Sequence, residues 1–207
     1  HLDRIFNKSV TMHSPGRWEL DLHRTLFPGA FALVVSEPVL WDAPEAFVVG
    51  DDPFLAMSRP MRILQTAGHM VLGSTPPRLS TVRDLIVQLD RLPDPAPLEQ
   101  AAQDTSLTAV LHAAIEHLIL RQLPVPGDWG EWAAAVEPDE RGRRLLAEHL
   151  AAHGDFNAQA RSALRLLPLH QRLWTMAALA LPHRNHLAAR GLPRRRHLTG
   201  RLRRRSG

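Results

Sequence analysis

Hydrophobic positions follow two different periods in two parts of this chain. In the first fifty residues apolar and polar side chains alternate: "SVTMHS", "RWELDLHR" and "EAFVVG" read as strands separated by loops. Read as a strand, Trp18 to Arg24 sends Trp18, Leu20 and Leu22 to one face, expected to pack on a core. Glu19, Asp21 and His23 go to the other. From Asp52 the period becomes helical, with Asp52 expected as an N-cap before Pro53 in the first turn. "SRPMRILQTAGHMVLG" then places Ile63, Leu64, Ala67 and Val71 on one stripe and closes at Gly73.

After the break at Pro76 and Pro77, "STVRDLIVQLD" suggests a capping box from Thr81 to Asp84 and a stripe of Val82, Leu85, Ile86 and Leu89. "LPDPAP", Leu92 to Pro97, reads as a linker. Leu107, Val110, Leu111, Ala114, Ile115 and Leu118 mark the helix most completely buried. Further helices are expected at about 128–136, 138–153 and 156–181, with Gly154 and Asp155 as stop and cap and a break or kink at Pro168. The expected class is α+β: a small partial β-sheet at the N-terminus (1–51), a mainly α-helical domain (52–182) and an arginine-rich tail (183–207).

Composition changes this picture little. Hydrophobic residues make up 44% of the 207, enough for a real core. The absence of cysteine excludes disulfides and thiolate zinc sites, so a reducing, cytoplasmic setting is expected. No apolar run reaches the roughly 20 residues of a membrane span, and no membrane partner is expected. The net charge of +4 is a property of the tail, whose 25 residues from His183 hold nine arginines and no acid. That tail is a possible nucleic-acid contact through its charge, although no aromatic residue interleaves the arginines to stack on bases. "HLAAH", His149 to His153, spaces two imidazoles for one helical face, but it lacks the glutamate of a zincin and a third ligand.

"WELDLHRTLFPG", followed by "DPFLAMSRPMRILQTAGHMVL" and "PRLSTVRDLIVQLD", resembles the C-terminal two-thirds of a family of uncharacterised nucleotidyltransferases. In that family a strand ending in a hydrophobic-Asp-Leu-His motif leads into helices. Ile63, Leu64 and His69, then Arg78, Leu79, Asp84 and Leu85, sit where the family's helical motifs would place such residues. The pattern spans roughly Arg17 to Leu89.

The resemblance implies transfer of a nucleotide from an NTP to an acceptor, with Mg2+ held by hard carboxylate oxygens. Asp21 corresponds to the family's third carboxylate, both a metal ligand and a catalytic residue, with Glu19 as a further ligand and His23 as its supporting neighbour. Arg17 and Arg24 are candidates for phosphate contacts. His69, Arg83 and Asp84 are candidates for the cleft of the helical domain; His69 lies off its apolar stripe and reads equally as a packing histidine.

The family's Gly-Ser turn with an Asp-x-Asp pair is not found upstream of Asp21. The expectation is therefore a truncated or inactive portion of such an enzyme, with the missing half supplied in cis or in trans. The alternative is a non-catalytic helical interaction or RNA-binding module acting through its helical body and basic tail.

Overall fold

The computed structural model describes residues 9–13, 16, 19–23, 25–35, 37–92, 94–152 and 161–180. Strands β1 (Ser9–His13) and β2 (Glu19–His23) form one antiparallel hairpin, and β3 (Glu45–Val49) and β4 (Asp52–Ala56) form another. A 3-10 turn (Gly29–Leu33) and the short α1 (Glu37–Leu40) lie between them. Then come α2 (Arg59–Leu72), α3 (Leu79–Asp90), α4 (Ala96–Asp104), α5 (Thr108–Leu120), α6 (Trp129–Ala135), α7 (Glu140–Ala151) and α8 (Leu169–Ala180). The class is α+β with a mostly helical body, as the change of period indicates.

Helix α2 is the hub, packed against α3, α4 and α5, while α5 also contacts α6 and α7. Of its expected stripe Ile63, Leu64 and Ala67 are buried while Val71 is only partly so, and Met70 is buried beside them; Leu107, Leu111, Ile115 and Leu118 of the α5 segment are buried as well. Burial of such side chains is worth about 1.5–3 kcal/mol each and is the main driving term.

Four expectations fail, each for a local physical reason. Asp52 does not cap a helix. Gly50, with φ +64°, makes a two-residue turn that pairs Val49 with Asp52 and turns "DPFLA" into β4. Pro53 is tolerated there because a two-stranded ribbon has only edge strands. Thr81 and Asp84 make no capping box either, because α3 already begins at Leu79; Asp84 Oδ1 instead accepts from Arg83 Nε at 3.1 Å and Nη2 at 2.7 Å.

"LPDPAP" is no mere linker. Asp94 Oδ1 accepts from the Ala96 amide at 3.0 Å, and α4 starts there with proline in its first turn, where no amide donor is needed. Finally, Leu20 and Leu22 are 55% and 52% exposed, because the strands form two separate two-stranded sheets and, among the described residues, no helix covers this face of the first. Trp18 and the His153 to Asp155 segment lie outside the described residues, as do Arg17, Arg24 and the tail; the last helical segment is interrupted as expected, helical at 161–164 and again from Leu169 after Pro168.

Two long-range contacts fix α2. A Cβ built on Gly68 would lie 2.1 Å from Phe27 Cε1, so the fully buried Phe27 ring occupies the volume of a side chain at position 68. At the C-terminal end, the buried His149 brings Nε2 to 3.0 Å from the Leu72 carbonyl oxygen and stands edge-on to Phe31, ring centroids 5.9 Å apart. A donor there satisfies a carbonyl that has no partner within its own helix.

Gly68→Ala sets a gain of about 1 kcal/mol in helix propensity against overpacking of about 1–3 kcal/mol. Because Phe27 has no solvent to retreat into, overpacking wins. Urea unfolding is expected to show net destabilisation, partly relieved by Phe27→Leu. His149→Leu, which keeps the bulk and removes the ring nitrogen, is expected to cost about 1–3 kcal/mol by the same measurement.

Candidate functional site

The segment from Thr25 to Val35 lays Phe27 and Phe31 against the helical body, and the β3–β4 hairpin stands opposite with an exposed ribbon. Between them lies a cavity of about 840 Å³. Phe27, Phe31, Trp41, Phe47 and Leu55 give it an aromatic and aliphatic lining. Its polar groups are few: His23 from the end of β2, Thr25, Glu37, Arg62 and Gln65 from α2, and Gln171 from α8. Such a volume, mostly apolar with a few polar groups on its walls, suits a small organic molecule.

The hairpin reaches this position through Glu45. Ser58 makes no side-chain cap on α2. Glu45 does that work from the start of β3: Oε1 accepts from the Arg59 amide at 2.9 Å, and Oε2 pairs with Arg62 Nη2 at 2.6 Å. A carboxylate at a helix N-terminus meets unsatisfied amides and the positive end of the dipole. Arg62 also donates through Nη1 to the Met57 carbonyl, so one guanidinium ties the hairpin, the joint that follows it and α2 together.

Among the described residues singled out in the sequence, which exclude Arg17 and Arg24, only His23 lines the cavity. Asp21 stands in β2 opposite Thr11, two residues before His23. Glu19 is exposed and pairs with His13 in the hairpin register. His69 is half-buried in the last turn of α2, and Arg83 and Asp84 form an exposed ion pair on α3.

Among the described residues no group of three or more His, Asp or Glu side chains is gathered to hold a metal ion. These residues therefore do not by themselves fit a two-magnesium centre. Sequence reasoning missed Glu45, Arg62, Phe27 and Trp41. For the first two there was no local signal: Ser58 before Arg59 and Pro60 reads as a good cap, and only the tertiary structure puts Glu45 in its place.

No protein-family model, curated protein or solved structure matches this chain.

The Arg62 hydrogen bond holds the Glu45 carboxyl below its ordinary value of 4.5; partial burial opposes it, and the Arg59 amide and the two positive charges add to the lowering. A depressed carboxylate contributes stability that is complete above its unfolded-state value and is lost as pH falls through the folded value. The tether is therefore intact at neutral pH and released in acid, as pH falls through the lowered value of the folded state. Acidification is expected to shift the amide NMR signals of Phe47 and Leu55 in that range. In Glu45→Gln those acid-linked shifts should disappear, whereas shifts that persist unchanged would assign the titration to another group.

Proposed function

We propose that this chain is the C-terminal portion of a nucleotidyltransferase-type protein: β2 contributes one carboxylate, Asp21, and the cavity receives the acceptor. The observation that carries this reading is the position of the cavity, whose wall includes His23 at the end of the strand that bears Asp21, with the helical body on the other side. The Asp-Leu-His run, Ile63, Leu64, His69 and the Arg78 to Leu85 segment support the same reading through their resemblance to that family.

Magnesium and an NTP belong to this proposal. Bound Mg2+ would supply charge neutralisation for a leaving pyrophosphate. One carboxylate strand cannot assemble that centre, so the Asp-x-Asp pair has to come from a segment that this sequence does not contain, and the chain alone is expected to bind rather than to transfer. Its own residues would shape the acceptor site: Phe27, Phe31 and Trp41 exclude water, while Gln65 and Gln171 offer hydrogen bonds.

A second reading, a non-catalytic interaction module, is favoured by α8, where Leu169, Leu173 and Trp174 are all exposed. Large exposed apolar patches commonly mark partner surfaces. The arginine tail that this reading also uses lies outside the described residues.

NMR titration of the chain with ATP, GTP, CTP and UTP separates the two. The first reading expects magnesium-dependent shifts at residues 19–23 with at least one nucleotide, lost in Asp21→Asn and retained in Asp84→Asn. A folded chain whose β2 signals ignore all four nucleotides in the presence of magnesium would sink it in favour of the second.

A further inference from the structure

Three arginines line a second, smaller pocket. Arg59 and Arg62 stand in the first turn of α2, and Arg91 follows the last residue of α3. With Ile63 and Gln88 they line a pocket of about 230 Å³. The two helices are fastened at this end by Arg59, whose Nη1 donates to the Arg91 carbonyl at 3.2 Å.

The polar side chains around this pocket are cations and donors. Arginine carries no acceptor. Gln88 has already engaged its oxygen, since Oε1 accepts from Thr66 Oγ1 at 3.2 Å, and this leaves its amide NH2 as the group to offer. The Arg91 carbonyl is taken by Arg59. Among the described residues no carboxylate pairs with Arg59 or Arg91 through their guanidinium groups, and only Glu45 opposes Arg62. Three positive charges thus face one negative charge, and although the exposed Arg59 and Arg91 are screened by solvent, the surplus is one that an anion would offset.

We propose that this pocket is a phosphate-binding site. A phosphoryl group offers several strong acceptor oxygens and close to two negative charges, which matches the surplus here; a carboxylate would neutralise only half of it. Planar guanidinium forks bind such oxygens in pairs. Arg91 and Arg59 provide the main forks, and the Gln88 amide adds a neutral donor. Arg62 borders both this pocket and the large cavity. A phosphate in the small pocket therefore competes with Glu45 for Arg62. The site uses neither Asp21 nor magnesium, so it stands or falls apart from the nucleotidyl-transfer reading.

The test is titration of the full chain, without magnesium, with inorganic phosphate, glycerol 3-phosphate and ATP. It is followed by calorimetry and by the arginine Nε–Hε NMR signals. Saturable shifts at Arg59 and Arg91 are expected. Arg91→Ala and Arg59→Ala should each weaken binding at least tenfold, Arg91→Lys less, and Arg121→Ala, an exposed arginine at the end of α5, not at all. Glu45→Gln, which removes the competing charge, should bind several-fold more tightly. Equal affinities for the three ligands would identify free phosphate as sufficient, and tighter binding of an ester would place the phosphate on an organic ligand. Absence of saturable binding by the folded chain overturns the proposal. So does binding that Arg59→Ala and Arg91→Ala leave unchanged, which would assign it to the arginines of 183–207.

Discussion

The Phe27 ring occupies the space of a side chain that Gly68 does not have. This close approach seats the segment before the 3-10 turn directly on helix α2, and the rest of the architecture is referred to that helix. At its C-terminal end the His149 ring nitrogen meets the Leu72 carbonyl, drawing α7 across a separation of 77 residues, and the same imidazole stands against Phe31. At its N-terminal end Glu45 takes the role that Ser58 leaves open. Helix α2 is therefore held by three non-local contacts as well as by its apolar stripe, and it forms the wall from which both cavities are measured.

Stability is not spread evenly around these cavities. The helical side rests on buried leucines, isoleucine and alanine, where opening would expose much apolar surface. On the hairpin side β3 and β4 are exposed along almost their whole length. An isolated two-stranded ribbon is marginal in water; here the Phe47–Phe54 ring contact joins the two strands, and the Glu45 tether links the hairpin to α2. The large cavity thus has one wall that resists deformation and one held by a few polar contacts.

How much of this was legible in the sequence follows from the range of each interaction. The stripe of α5 and most of that of α2, Val71 being only partly buried, are local periodicities legible in the sequence, as is the helix expected at about 138–153, which the structure places at Glu140–Ala151. Phe27 on Gly68, His149 on Leu72 and Glu45 on Arg59 each join residues far apart in sequence, and no spacing rule announces them. The misread Asp52 has a different cause: Asp-Pro is a good helix start, and the glycine two positions earlier made it a hairpin arm. Arg59 and Arg62 are legible as neighbours on one helical face. Arg91 joins them only because α3 packs back along α2 and ends beside its first turn, and that is tertiary information. His23 was read for its company on β2, and its place at the cavity follows from the path of the chain after the strand.

The distribution of charge around α2 constrains what either cavity can do. A magnesium centre needs clustered carboxylates, whereas the first turn of α2 gathers cations whose single carboxylate is already engaged. The first turn of α2 therefore suits the anionic part of a ligand rather than a metal cation. Arg62 stands at the boundary, bordering both cavities and bound to Glu45. Its partner sets the charge of that boundary: with Glu45 in place it is nearly neutral, and with that carboxylate protonated or displaced it is cationic. A ligand that bridges the two cavities would need an apolar body for the aromatic wall and an anionic end for the arginines, with the Glu45–Arg62 pair deciding how tightly that end is held.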